Sequence, residues 1–347
     1  MVSISFCRFS GSVALGLLAF GCGQQSSEPA LGHLSQPMID GQPSDSAYDD
    51  VVFVQTKQSA DSSLACTGTL IAPNLVITAL HCVTSSTLGD FTCKSDGTMV
   101  ATNVQDGTFG SLVAPGNVKV YAGSPVDYSA PIAVGAHLVG SGSTQACQGD
   151  LALVQLDRNV DLPVATLRLD KLPTYNEQAD VLGYGATETA NSEGLRLLRQ
   201  VQVLDVGPSS TAGPLRTTPP RTFVVGEGPC KGDSGGPAFD TDSHALLGVF
   251  SLNTAASCDL VGIHNVYTAL SPYSKTILAA FKAAGADPVL ETPLPDAGVA
   301  AAPSKDSGGC SLSSAPPSAA PSGHAPFALI SLAALACAGL VRRRRAP

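Results

Sequence analysis

Three short stretches of this 347-residue chain carry side chains that could act together on one bond. GPCKGDSGGPAF (Gly228–Phe239) crowds four glycines and two prolines around the pair Asp233-Ser234. That composition excludes a helix or a regular strand and marks a contorted turn, because glycine frees the backbone and proline removes an amide donor. ITALHC (Ile77–Cys82) sets His81 directly after an apolar run, and GDLALVQL (Gly149–Leu156) sets Asp150 at the head of another. A serine hydroxyl is a poor nucleophile until a base takes its proton, and that base needs a fixed tautomer. His81 can be the base and a buried Asp150 can orient it, which makes Ser234 a candidate nucleophile for acyl transfer. Each residue alone has an ordinary reading, a structural histidine or a common turn. Their joint occurrence does not.

The elements that must position these residues read as β-structure. VVFVQT, TGTLIAPNLVITAL, LALVQL, VLGYG and LLGVFSL are short apolar runs bounded by turn residues, with Ala72-Pro73-Asn74 as a hairpin turn. One segment, Ser271–Ala284, has a helical period. Ser271 can cap it, Pro272 suits its first position, and Tyr273, Ile277, Leu278 and Phe281 share an apolar face before Gly285 ends it. Many strands and one late helix predict an all-β fold of antiparallel barrels.

Composition agrees. Hydrophobic residues make up 44% of the chain, charged residues only 14%, and 35 glycines suit turn-rich β-structure. The formal net charge is −9, and the central region has no lysine-arginine cluster, which argues against nucleic acid as a partner. Ten cysteines fit an oxidising compartment. At the N-terminus, residues 1–22 read as a signal peptide, with Arg8 before the apolar run Val13–Phe20. Ala19-Phe20-Gly21-Cys22 resembles a bacterial lipobox, in which the cysteine is lipidated; ordinary signal cleavage nearby is the other reading. Residues 23–38 then form a propeptide or tether. Residues 286–326 are rich in Pro, Ala, Ser and Gly and predict an extended linker. Residues 327–347 comprise an apolar stretch, Phe327–Val341, and the cluster Arg342–Arg345. With Gly308-Gly309-Cys310-Ser311 upstream, this end resembles the bacterial MYXO-CTERM sorting tail. The resemblance implies processing at Cys310 and display at the cell surface; a plain short anchor is the alternative.

The central region, residues 39–285, resembles the chymotrypsin-like (trypsin fold) serine peptidases. TALHC stands for the family's TAAHC, GDLALV for its DIAL, VLGYG for its GWG, and GDSGGP is unaltered. The resemblance implies two antiparallel six-stranded β-barrels with a C-terminal helix. No His-Cys-Asp spacing suggests a metal, so none is expected, nor a cofactor, and a monomer is expected. It implies Ser234 as nucleophile, His81 as base and then acid, and Asp150 as its orienting carboxylate, helped by the Ser251 hydroxyl. The backbone N–H groups of Gly232 and Ser234 become the oxyanion hole. The disulfides Cys66–Cys82 and Cys230–Cys258 follow from the family; Cys93 and Cys147 match no landmark and pair only by elimination, or stay as free thiols. MIDG stands where the family begins with IVGG, so cleavage after Met38 by an activating protease is expected to free Ile39 to pair with Asp233. At the floor of the specificity pocket Gly228 replaces the aspartate of Lys/Arg-specific members. Ser251, Asn253 and a segment near Gly262 should form the walls, favouring a small or medium uncharged side chain. Lys231 at the rim and His264 near the wall suit an acidic one instead. The expected function is a secreted or surface-anchored endopeptidase acting on proteins or peptides and handled by sorting or lipoprotein-processing machinery. The competing class is a catalytically silent binding or adhesion module on the same fold.

Overall fold

The computed structural model describes residues 38–85, 88–89, 91–101, 106–185, 194–209, 217–253 and 263–293. The first barrel uses β1 (Val51–Lys57), β2 (Ser63–Ala72) and β3 (Leu75–Thr78). An inserted hairpin follows, β4 (Phe91–Cys93) paired with β5 (Met99–Ala101), before β6 (Val118–Tyr121), β7 (Ala133–Gly140) and β8 (Ala152–Leu156). The six barrel strands close in the order β1-β2-β3-β8-β7-β6. The second barrel uses β9 (Gln178–Gly183), β10 (Leu197–Val206), β11 (Thr222–Val225), β12 (Pro237–Asp240), β13 (Ala245–Asn253) and β14 (Asn265–Ala269). Its order is β10-β9-β12-β13-β14-β11, closed by pairing of β11 with β10. Both six-stranded barrels match the architecture expected from the sequence.

Continuous apolar runs arise because both faces of a strand are buried. Along β1, Val52 and Val54 point into the first barrel, while Val51 and Phe53 face the layer between the barrels. The alternation repeats in β3 and at the start of β8: Val76, Ala152 and Val154 face inward, and Leu75, Ile77, Leu151 and Leu153 face the shared layer. Leu182, Phe239, Leu246 and Val249 of the second barrel meet them there. This shared layer fixes the facing loops of the two barrels relative to each other.

The helix differs from expectation at its start. Ser271–Tyr273 form a 3-10 turn, and α1 runs Ser274–Ala284 with no side-chain cap bond at its N-terminus. Tyr273 is instead buried, and its hydroxyl donates to the Gln148 carbonyl at 2.9 Å. Ile277, Ala280 and Phe281 are buried, and Gly285 ends the helix at φ 68° as expected. The folded chain then continues. Leu167 N–H donates to the Val289 carbonyl (2.8 Å) and Glu291 N–H to the Leu167 carbonyl (2.9 Å). The Glu291 carboxylate grips the Arg168 guanidinium, which also meets Glu177 and Asp240. No helix among the described residues is long and apolar enough to cross a membrane; Cys22, Cys310 and residues 327–347 lie outside those residues.

Candidate active site

His81 lies on a 3-10 turn, Leu80–Val83, directly after β3. A disulfide from Cys82 back to Cys66 on β2 pins that turn. Asp150 stands just before β8, the strand paired with β3 (Thr78 opposite Ala152), and is fully buried. Its Oδ1 accepts the His81 backbone N–H at 2.9 Å, and its Oδ2 lies 2.7 Å from His81 Nδ1. Because a carboxylate only accepts, Nδ1 carries the proton and Nε2 keeps its lone pair for the reaction. The Ser251 hydroxyl from β13 donates to the same Oδ2 at 2.8 Å. The Asp150 backbone N–H donates to Thr268 Oγ1 on β14 at 3.3 Å, so both barrels hold this residue. Gly149 before it has φ 151°, and an added Cβ would stand 1.8 Å from the Tyr273 hydroxyl.

Ser234 sits on the tight turn leading into β12. Its carbonyl accepts the Thr67 N–H at 2.8 Å. That carbonyl oxygen and His81 Nε2 lie 3.6 and 3.7 Å from one sulfur, Cys82 Sγ, which brings the two loops together. The glycines after Ser234 have a steric cause. A Cβ on Gly235, at φ +79°, would lie 2.0 Å from Thr78 Oγ1. One on Gly236 would lie 2.3 Å from the Leu182 carbonyl. Gly232, at φ 92°, turns its carbonyl to the Thr67 hydroxyl, which donates at 3.2 Å. The same Thr67 oxygen accepts the Tyr184 N–H at 3.0 Å.

Asp233 is completely buried. Its oxygens accept N–H groups from Gly185 (2.7 Å) and Cys230 (2.8 Å). Gly183 leaves room for it, since a Cβ there would lie 2.0 Å from Asp233 Oδ1. Burial pushes this carboxyl up to about 7, against those two hydrogen bonds. In the intact chain Ile39 does not meet it. The Ile39 N–H donates to the Gly228 carbonyl (2.9 Å), and the Ile39 carbonyl accepts from Arg199 (2.8 Å). The fully buried residue is Met38, inside the second barrel with Val181, Val201 and Tyr267.

The remaining expected residues divide. Gly228, Ser251 and Asn253 are present near this turn, with Gly228 buried, Asn253 half-buried and Lys231 exposed. His264 is half-buried. Cys230 is disulfide-bonded, while its expected partner Cys258 and the wall residue Gly262 lie outside the described residues. Cys93 and Cys147 are joined, with Cα atoms 5.5 Å apart. Cys66, Cys82 and His81 bring potential metal-ligand atoms within 4.8 Å of one another, but the disulfide leaves no thiolate to bind an ion. The sequence reading missed Thr67, Thr268 and Tyr273. All three stand in ordinary strand or helix patterns, and nothing local marks them.

A buried Asp–His pair on one barrel, beside a tight Asp-Ser-Gly-Gly turn on a second, is the arrangement of the chymotrypsin-like serine peptidase family. The family model described as Trypsin matches residues 39–277, and the chain belongs to that family. It is 28% identical over 246 residues to phenoloxidase-activating factor 3 of Holotrichia diomphalia, covering 63% of this chain and 64% of that protein. The chain thus spans just under two thirds of that relative. It is 26% identical over 285 residues to chymotrypsin-like elastase family member 3A of Homo sapiens, covering 77% and 95%. A trypsin-like protease of Streptomyces glaucescens is 26% identical over 230 residues, covering 64% of this chain and 76% of that protein. Among solved structures, a scabies mite inactivated protease paralogue superposes with TM-score 0.52 at 20% identity, covering 70% of this chain and 99% of that one. HL collagenase gives 0.51 at 20% identity, covering 70% and 98%. These two likenesses concern the fold.

Proposed function

We propose that this chain is a secreted or surface-held endopeptidase that hydrolyses peptide bonds of proteins or peptides through an acyl-enzyme. The observation that carries the reading is the His81–Asp150–Ser251 chain of hydrogen bonds, with His81 Nε2 and the Ser234 carbonyl lying against the same sulfur, Cys82 Sγ. Ser234 Oγ attacks the scissile carbonyl while His81 Nε2 takes its proton. The oxyanion forms toward the N–H groups of Gly232 and Ser234, and each such donor contributes about 10²–10³ in rate. The imidazolium, held by Asp150, then protonates the leaving amine as the carbon–nitrogen bond breaks. Water then gives a proton to His81 as its oxygen adds to the acyl carbon, and the imidazolium returns that proton to Ser234 Oγ as the acyl–oxygen bond breaks. Gly228 in place of a carboxylate supports a preference for uncharged side chains before the scissile bond, with Lys231 as the feature that favours acidic ones.

Activation by a protease supplies the cation that Asp233 lacks. The expected cut after Met38 obliges Ile39 to leave the Gly228 carbonyl before it can reach Asp233. Burial of Met38 in the same barrel supports a cut one bond earlier, giving Met38 the free α-ammonium. The disulfides fit a route through an oxidising compartment, and Cys22 and Cys310 are the residues by which lipoprotein-processing or sorting machinery would hold the chain at a bacterial surface.

The test is fluorophosphonate labelling of the purified full chain, before and after limited cleavage, with Ser234→Ala alongside. Mass added at Ser234 and absent from Ser234→Ala is expected, and N-terminal sequencing of the reactive form identifies the bond cut. A folded chain that takes no label in either form would instead be a silent binding module.

A further inference from the structure

The insertion after His81 does more than lengthen a loop. At its base, Ser85 N–H donates to the Ser111 carbonyl and Val113 N–H to the Val83 carbonyl, both at 2.9 Å, right behind the histidine turn. Along its side, Phe109 N–H donates to the Thr144 carbonyl (3.0 Å) and Ala146 N–H to the Gly107 carbonyl (2.9 Å). The Cys93–Cys147 disulfide then staples β4 to the same segment, just ahead of Asp150. At the tip, a Cβ built on Gly97 would lie 3.4 Å from Pro220 Cδ and 3.6 Å from the Cys147 carbonyl. Pro220 precedes β11 and belongs to the second barrel. One hairpin of the first barrel therefore reaches the second barrel beside the loop that carries Asp150.

This matters for where a peptide can run. Beyond Phe250, β13 pairs with β14 on one edge, while on its other edge the backbone pairing with β12 and the glycines before it ends, among the described residues, at Phe250, which bonds Gly235 and Gly236. A substrate whose side chain enters beside Gly228 and Ser251 extends its N-terminal part along that vacated edge by strand addition. Ser251 bonds to Asp150, three residues after Cys147, so this edge begins beside the segment to which the hairpin is stapled. Three residues of chain reach at most about 10 Å, so the path is short.

We propose that the β4–β5 hairpin, stapled by Cys93–Cys147 and seated on Pro220, roofs the acyl-side end of the cleft and is a specificity element. It limits productive binding to roughly two residues before the scissile bond. The inference rests on Ser234 being the nucleophile, which fluorophosphonate labelling reports separately.

The experiment is a length series with the active full chain: fluorogenic amides sharing one residue before the scissile bond, with blocked acyl parts of one, two and four residues. Wild type should gain from one residue to two and then change by less than about twofold to four, where strand addition on an open edge would give about tenfold. The double variant Cys93→Ser/Cys147→Ser should recover that tenfold gain while labelling at Ser234 at the wild-type rate. A wild-type gain of about tenfold from two residues to four overturns the proposal whatever the variant does. So does a normally labelled variant whose length profile matches a flat wild type.

Discussion

Thr67 holds two carbonyls of the turn that carries Ser234, through its own N–H to the Ser234 carbonyl and its hydroxyl to the Gly232 carbonyl. Thr67→Val keeps the shape but removes the hydroxyl, leaving the buried Tyr184 N–H unpaired. We expect kcat/KM to fall about tenfold or more with KM little changed, given that an orphaned buried donor costs about 1–3 kcal/mol. Thr67→Ser should restore most of it, and steady-state kinetics on both variants checks this. Asp233 sets a second expectation. Its folded carboxyl titrates at about 7, above the ordinary value of ~3.9 for a free aspartate. Between those values the folded chain binds more protons than the unfolded one. This contribution to stability is thus full below about pH 4 and is lost as pH rises toward 7. Buried Asp50, likewise near 7, acts with the same sign. Urea unfolding of the uncut chain from pH 4.5 to 8 should show Asp233→Asn relieving part of that decline; an identical pH dependence in parent and variant would refute it. His81, Asp150 and Ser234 were legible because their neighbours are constrained by backbone geometry, as Gly235 and Gly236 illustrate. Thr67 was not, because its role depends on a carbonyl distant in sequence.

At the scale of elements, apolar runs announced the strands but not which of their two faces serves each core. In β1 the assignment of Val52 and Val54 inward needs the partner strands in place. The late helix was legible in its apolar face and its Gly285 end. Its start was not, because Tyr273 is drawn off to the Gln148 carbonyl and the preceding residues tighten into a 3-10 turn. Tyr273→Phe removes that donor and should lower stability by about 1 kcal/mol. It should also reduce kcat, since Gln148 and Gly149 lead directly into Asp150. Denaturant titration alongside active-site-titrated kinetics separates the two effects; an unchanged kcat would make Tyr273 a purely structural brace.

For the whole molecule, the two barrels followed from the sequence, whereas the end of the folded region did not. Residues beyond Gly285 have a linker's composition, and only the distant partners Leu167 and Arg168 give Leu290 and Glu291 a place. A chain ended after residue 285 should be less stable than one ended after residue 293. The difference should be roughly 1–3 kcal/mol, because Arg168 keeps Glu177 and Asp240 while losing Glu291. Matched urea midpoints of the two chains measure it.

The same clamp has a mechanical consequence. Tension applied to the chain beyond residue 293 is taken first by the Leu167 backbone bonds and the Arg168–Glu291 grip. The load therefore passes into the wall of the second barrel before it can unwind α1 or tug on the Tyr273 hydroxyl that braces the approach to Asp150. Like the strain relief on a cable, it lets the tail be pulled while the catalytic geometry stays still.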